Sequence, residues 1–375
     1  MDVEEYDVVV VGGGVAGSVA ARFAAKGGFK TLLIEKFKTP RNKPCSGIQF
    51  SYFEKLIGEK IPREKLCRNE LFKVEMMTPK GKVLKGKMKM LNFWRSTFDS
   101  WLNSLAANAG ADFCDNTSLI DFVEDKDKII VKLATENMCS EVKARYLIGA
   151  DGMLSRVRRK MRPQDFDKKT SGATVNYYFV GDANLDLNTL YMFYKREFCP
   201  LMFAWVYLKD DKWVIGTGAK ENPLEYADRF FNYVRKKYGL CGEIVKKEGF
   251  SSTLKSTIYL GEGRILMVGD AAGLIDLYRG MGMDNAALSG RLAVKAITKA
   301  EEEGLEAAKA YENLMRKVVK KIEANAKKQM KRLSSNKELE KSLSPLNMLK
   351  GGLHMLIVNR INKMLPPENL IFLPP

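Results

Sequence analysis

Histidine is almost absent from this 375-residue chain, and His354 is the sole one. That excludes metal sites built on several imidazoles and nucleophilic chemistry of the Ser–His or Cys–His type. Six cysteines (Cys45, Cys67, Cys114, Cys139, Cys199, Cys241) are scattered and none stands in a C-x-x-C pair, so neither a disulfide framework nor a bound metal is expected. No apolar run approaches the length of a membrane span, and no signal peptide precedes the first expected strand. A reduced, cytoplasmic setting is the natural expectation. The chain has no internal repeat and no long low-complexity tract. With so few side chains suited to metal or nucleophilic work, the chemistry falls to a cofactor.

What is present is apolar and basic. Hydrophobic residues make up 46%, enough for two domains or one elaborated α/β unit. Sixty-two Lys and Arg against 45 Asp and Glu leave a net charge of +17. Part of the excess lies in Arg316–Lys341, where ten Lys/Arg meet three Asp/Glu. Such a stretch is a solvated helix face, or it attracts anionic lipid headgroups or an acidic redox partner. No nucleic-acid-binding module accompanies it, which argues against nucleic acid as partner.

Residues 7–17 read Asp-Val-Val-Val-Val-Gly-Gly-Gly-Val-Ala-Gly, and Glu35 ends the next apolar run. Val8–Val11 suit a buried parallel strand. Gly12, Gly14 and Gly17 fit G-x-G-x-x-G: the first for the turn, the second for approach of a pyrophosphate, the third for close helix–strand packing. The helix that follows offers free N–H groups to phosphate. Glu35 stands where a carboxylate binds a ribose hydroxyl pair, and Ala16 and Lys36 join these expected cofactor contacts.

A loop rich in Lys, Pro and Arg spans Phe37–Gly47. A short helix is expected over Phe50–Ile57, a hairpin over Phe72–Lys87, and a helix over Arg95–Ala109 with Phe98, Trp101, Leu102 and Leu105 on one face. Strands follow near Ser118–Val123, Lys128–Leu133 and Tyr146–Ile148. From about Gly172 to Ala219 aromatic and β-branched residues alternate, as several antiparallel strands require. A helix (Pro223–Tyr238), a strand (Arg264–Val268) and two helices (about Asn285–Ala300 and Leu305–Leu333) complete the pattern. The expected architecture is α/β: a Rossmann-like dinucleotide domain (1–70, 93–165, 258–335) interleaved with an antiparallel substrate sheet (71–92, 166–257). A helical C-terminal segment (336–375) follows. There, Leu346, Leu349, Leu353, Leu356, Ile357, Ile361, Met364 and Leu365 recur at helical spacing, interrupted by Lys350, Arg360 and Lys363. Such a helix either covers the protein's own core or lies in a membrane interface.

Gly149-Ala150-Asp151-Gly152 and Gly269-Asp270-Ala271-Ala272-Gly273 each close a strand. Behind the N-terminal glycines, this pair resembles the superfamily of group A flavoprotein monooxygenases and geranylgeranyl reductases, whose nucleotide domain is of the glutathione-reductase type. The resemblance implies FAD as cofactor, Asp270 on a ribityl hydroxyl, and Asp151 and Gly152 bracing the cofactor region. Arg95, in Arg-x-x-x-Asp with Asp99, resembles the family arginine that approaches FAD; otherwise it is an arginine on an amphipathic helix. Gly280, Gly282 and Met283 stand where the family carries a glycine-rich turn beside the flavin ring.

Lys43-Pro44-Cys45-Ser46-Gly47 looks like the Pro-Cys-Gly element of geranylgeranyl reductases. That places Cys45, Ser46 and Gly47 beside the flavin, with Cys45 and Gly47 as the candidate catalytic pair. Phe203–Leu208 resembles the family's Tyr-x-Trp-x-Phe-Pro element, with the terminal proline missing. Tyr191, Phe203, Trp205 and Tyr207 are the candidate substrate lining. The resemblance implies hydride transfer from reduced flavin to a C=C bond of a prenyl chain in a lipid or quinone. NAD(P)H or a reduced ferredoxin-like protein would supply electrons, at the surface of an anionic membrane if the substrate is a lipid. A flavin-dependent aromatic hydroxylase shares the FAD motifs, and a non-catalytic FAD-containing electron carrier would share them too.

Overall fold

Parallel pairing of two short apolar strands starts the first sheet. In the computed structural model, which describes residues 3–136, 138–166, 171–253, 257–362 and 364–369, β1 (Glu4–Val11) leads into α1 (Val15–Lys26) and β2 (Thr31–Ile34). β1 and β2 run parallel from Val8↔Thr31 to Val11↔Ile34. Val8, Val9 and Val10 are fully buried, as a central strand covered on both faces requires.

The chain then leaves this sheet. After the loop come β3 (Ile48–Gln49), α2 (Phe53–Ile57), α3 (Arg63–Leu66), β4 (Leu71–Met77) and β5 (Val83–Asn92), whose strands belong to a second sheet. It returns through α4 (Arg95–Asn108) to β6 (Asp112–Cys114), parallel to β2. A meander of β7 (Ser118–Asp125), β8 (Lys128–Ala134) and β9 (Cys139–Gly149) follows, then α5 (Arg156–Met161). β10 (Ser171–Asp182), β11 (Thr189–Phe193), β12 (Ala204–Lys209), β13 (Lys212–Ala219), α6 (Pro223–Tyr238) and β14 (Cys241–Thr253) complete the second layer. β15 (Gly261–Glu262) and β16 (Ile265–Met267) rejoin the first sheet, and α7 (Met283–Glu303), α8 (Ala307–Arg332), α9 (Asn336–Ser342) and α10 (Pro345–Asn362) close the chain.

The first sheet has the order β15-β16-β9-β1-β2-β6, with β7 and β8 extending from β9. From β1 the chain goes to β2 on one side, and β9 lies parallel to β1 on the other. A crevice at the carboxyl ends of β1, β2, β9 and β16 is where an α/β sheet of this kind binds its ligand. The second sheet runs β14-β10-β13-β12-β11-β4-β5-β3. It is antiparallel except at β11 and β4, which pair in parallel from Thr189↔Lys73 to Phe193↔Met77. There an entirely antiparallel sheet was expected. The β4–β5 hairpin enters from the other half of the chain, so no tight turn dictates its direction.

Alternation splits the second sheet's apolar residues between two cores. Tyr177, Phe179, Phe193, Val206 and Ile215 pack with Phe230, Phe231 and Val234 of α6. Tyr178, Met192, Tyr194, Tyr207 and Val214 pack toward the first sheet. The expected strand near Tyr146 begins much earlier, at Cys139, because its charged first half pairs with β8 at the solvent side. β14 was not foreseen; its Lys- and Glu-rich sequence gives little apolar alternation, and pairing with β10 makes the strand. In the C-terminal helix, Lys363 and the side chains of Leu349, His354 and Leu356 lie outside the described residues. Among the described residues no helix is long and apolar enough to cross a membrane.

Helices α1 and α7 touch through glycine. A Cβ on Gly290 would lie 2.3 Å from the Ala16 carbonyl oxygen, whereas one on Gly86 meets nothing within 4 Å. Gly290→Ala is therefore expected to lose about 1–3 kcal/mol of stability in urea unfolding, with Gly86→Ala close to neutral. Equal behaviour of the two variants would contradict this packing.

Candidate active site

The turn after β1 is shaped by contacts that leave no room for side chains. Gly12 has φ +109°, and a Cβ there would stand 2.5 Å from the Ala150 carbonyl oxygen. A Cβ on Gly17 would stand 1.9 Å from the Gly12 oxygen. Gly14 is the N-cap of α1, where no side chain satisfies the first-turn N–H groups and no acidic residue lies in that turn. This is the donor arrangement that phosphate oxygens fill. Ala16 is buried, and its Cβ meets the Gly269 turn.

Glu35 is buried at the end of β2. Its carboxylate accepts the Gly13 N–H at 3.0 Å and the Phe37 N–H at 3.1 Å, and pairs with Arg41 at 2.9 Å. Arg41 also approaches Asp99 at 3.4 Å. Lys36, an expected cofactor contact, is exposed and lies over the Phe37 ring. Asn103 presents a buried amide nitrogen without a hydrogen-bond partner, 3.4 Å from where a Gly13 Cβ would stand. Its oxygen accepts the Ser18 hydroxyl at 2.6 Å.

Asp270 follows β16 in a 3₁₀ turn held by the Gly269 N–H donating to the Ser289 hydroxyl. Its carboxylate pairs with Lys43 at 3.1 Å. Burial, the largest influence, pushes its pKa up, but Lys43 and Arg95 outweigh burial and hold it below the usual range. A Cβ on Gly282 would lie 3.4 Å from its oxygen, so the start of α7 and Asp270 share one corner.

Cys45 sits in this corner. Its sulfur accepts the Gly47 N–H at 3.4 Å and lies 3.9 Å from the Met283 sulfur. Gly47 has φ +63°, and a Cβ would collide with the Phe93 carbonyl oxygen at 1.8 Å. The Ser46 carbonyl accepts from Tyr207 at 3.3 Å and from Lys209, whose ammonium also donates to Phe93 O at 3.0 Å. Lys209 lies over Trp94 and Tyr207. The second sheet thus straps the Cys45 loop in place. Phe203 and Trp205 stand edge to face, and the Trp205 indole donates to Asn176 at 2.9 Å across Gly216, where a Cβ would not fit.

Four expectations need adjustment. Arg95 is buried and bidentate on Asp99 at 2.7 and 2.8 Å. It organises the loop from below. Asp151 caps α5 through the N–H groups of Arg156 (2.6 Å) and Val157 (3.3 Å), while its neighbour Gly152 keeps a positive φ in open space. Tyr191 points to the α6 side and its hydroxyl accepts the Asp186 N–H, so strand parity makes Met192 of β11, and Tyr194 just past its end, the residues that share a face with Trp205 and Tyr207. Gly280 packs on Met202, because the 276–281 segment folds into a tight hairpin bridged between Asp276 and Met281.

A family model described as an FAD binding domain matches residues 5–326. The chain is 31% identical to a digeranylgeranylglycerophospholipid reductase of Thermoplasma volcanium over 80% of its length and 79% of the relative's. It is 28% identical to digeranylgeranylglycerophospholipid reductase 2 of Methanococcoides burtonii, over 85% and 82%. A crystal structure of a geranylgeranyl bacteriochlorophyll reductase-like protein from Thermoplasma acidophilum superposes with TM-score 0.82 at 25% identity, covering 93% of this chain and 96% of that one. The chain belongs to the geranylgeranyl reductase family of FAD-dependent oxidoreductases. The glycine cradle, the uncapped start of α1 and the orphaned Asn103 amide fit the FAD that this reductase family uses.

Several residues that build this reductase-family site were not singled out beforehand. Asn103 follows Arg95 and Asp99 at the same spacing of four, continuing a polar stripe opposite Phe98 and Leu102 that helical periodicity exposes. Lys209 continues the parity of Trp205 and Tyr207, a charge on the inward face of an apolar strand. The buried set Tyr52, Asp276, Arg279, Asp284 and Asn325 joins α2, α7 and α8, with Tyr52 donating to Asp284 at 3.1 Å and Asn325 to Asp276 at 2.8 Å. Asp276, Arg279 and Asp284 are close in sequence, but Tyr52 and Asn325 come from distant segments, so no local spacing predicts the whole set.

Asp270→Asn is expected to weaken FAD binding by about 1–3 kcal/mol, or ~5–150-fold, in a flavin fluorescence titration; an unchanged affinity would remove Asp270 from the site. Burial pulls the Lys209 ammonium down to about 8. An unfolded lysine keeps its proton to about 10.4. The unfolded state therefore binds more protons in this window, and the stability contributed at position 209 rises with pH across it. Wild type should gain in urea stability relative to Lys209→Met between those two pH values, and a flat difference would contradict the burial of this charge.

Proposed function

We propose that this protein saturates C=C bonds in a prenyl chain of a membrane lipid or quinone. The observation that carries the reading is the strapped Cys45-Ser46-Gly47 loop. It lies between the Asp270 corner and an apolar face made of Met192, Tyr194, Phe203, Trp205 and Tyr207. The names of the curated relatives, reductases of digeranylgeranyl lipids, support it.

Reduced FAD, when bound, supplies a hydride for one alkene carbon. The other carbon takes a proton. An isolated alkene develops no oxyanion for a donor to stabilise, so positioning and exclusion of water carry the catalysis. The aromatic face and Met283 provide the dry wall. Gly47, with no side chain, lets the chain's backbone approach closely. Gly12, Gly14 and Gly17 with the start of α1 hold the pyrophosphate, Glu35 the adenosine ribose, and Asp270 the ribityl chain. Cys45, between the Gly47 N–H and the Met283 sulfur, shapes the pocket and is the group placed to pass the proton.

Segments 1–70, 93–165 and 258–335 serve the cofactor in this reading, and 71–92 and 166–257 the substrate. Electrons arrive from NAD(P)H or a reduced ferredoxin-like carrier, since the sequence holds a single glycine fingerprint. The protein works as a peripheral enzyme at the bilayer that holds its substrate.

A test is anaerobic. The flavin is photoreduced and mixed in turn with geranylgeranyl lipids, prenylquinones and phenols. Reoxidation by a prenyl compound without oxygen is expected, with a more saturated chain seen by mass spectrometry. Reoxidation only when air is admitted with a phenol present would mean a hydroxylase. No response to any substrate would mean an electron carrier.

A further inference from the structure

Apolar side chains among the described residues of α10 are turned outward along one side, with Lys350 among them. At about 3.6 residues per turn, Leu346, Leu353, Ile357 and Ile361 fall within one narrow arc of the helix. They are 60%, 59%, 49% and 38% exposed. Met364, just past the helix end, is 85% exposed. Val358 and Asn362 project from a different side of the helix and are buried. Lys55 of α2 donates to the carbonyls of Asn362 (2.6 Å) and Leu365 (3.1 Å), which fixes the end of α10 to the body. The stripe is thus the face left over after docking.

Cations are interspersed with it. Lys350 lies within the arc and Arg360 at its edge, and both are exposed. Three residues before Leu346, Leu343 lines a groove between the β4–β5 turn and α9 that carries Lys80, Lys82, Lys337 and Lys341 around Glu340. The groove is held in place by the Lys80 N–H donating to Glu340 at 3.2 Å. α10 is apolar on more than one side, so a face remains apolar after docking; its outward apolar side chains can enter the acyl boundary while the neighbouring ammonium and guanidinium groups reach back to phosphates. A chain of net charge +17 adds long-range attraction to the same surface.

We infer that the stripe of α10, with the Lys80–Lys341 groove beside it, is the surface that seats this protein on an anionic phospholipid bilayer. The lipid phosphates meet Lys80, Lys82, Lys337, Lys341, Lys350 and Arg360, and the acyl layer takes Leu346, Leu353, Ile357 and Ile361. This rests on the bilayer association proposed above and names the surface that makes it; its failure is distinguishable from failure of the reaction, because reoxidation by a dispersed prenyl compound needs no vesicle.

The experiment is co-sedimentation of the FAD-loaded full chain with vesicles of phosphatidylcholine, with and without phosphatidylglycerol. Binding to the anionic vesicles is expected, weakened by added salt. L353S/I357S is expected to lower it ~10-fold or more, with flavin content and circular dichroism unchanged because both side chains are exposed. K337Q/K341Q should weaken binding to the anionic vesicles alone. No binding by the wild type, or equal binding by L353S/I357S, would overturn the proposal. So would a wild-type dimer that L353S/I357S converts to a monomer without any vesicle binding, since a second copy of the chain would then cover the stripe.

Discussion

Buried charge on one loop ties the two layers of this molecule together. The segment from Glu35 to Gly47 crosses the carboxyl ends of the parallel strands, and it is pinned at three places. Glu35 holds its start through two N–H groups and Arg41. Lys43 binds Asp270, contributed by the far side of the first sheet. Lys209 and Tyr207 of the second sheet grip the Ser46 carbonyl. Each of these groups is expensive to bury alone and stable when paired. The loop's path, and with it the position of Cys45, follows from that pairing.

The second layer contributes through parity. Its strands offer alternate residues to two different cores, so the side that faces the loop carries Tyr178, Met192, Tyr194, Trp205 and Tyr207, while the other side packs on α6. Trp205 packs onto Gly216, which gives it space, and Asn176 accepts its N–H. Lys209 ends the inward row. A single charge there does two jobs: it orders the Cys45 loop, and it sits against Trp94 and Tyr207, which tolerate a cation at low exposure.

The cofactor half of this architecture was largely readable from the chain. Strand, glycines, helix, strand and Glu35 are local in sequence, and their physics is local as well. Asp270 and the Pro-Cys-Ser-Gly element were readable through family resemblance. Arg95 was left with two readings because a guanidinium four residues before an aspartate reads equally as a ligand contact or as an ion pair; folding buries it in the ion pair with Asp99. Tyr191 was misplaced because a one-residue error in strand register reverses every side chain. Lys43, Arg41 and Asn103 gained meaning only when folding brought distant segments together. The C-terminal helix had two readings in the sequence, cover or interface, and the exposure of Leu346, Leu353 and Ile357 separates the face that covers from the face that does not.

The central claim is that Glu35 and Asp270 mark the two ends of one dinucleotide site and that the Cys45 loop borders its reactive end. A crystal structure of the FAD complex tests this most directly. The account predicts the adenosine ribose hydroxyls within hydrogen-bond distance of Glu35, the ribityl chain beside Asp270, and the flavin ring against Cys45–Gly47 at the start of α7. FAD bound elsewhere, or bound here with its ring turned away from Cys45 and Gly47, would contradict it.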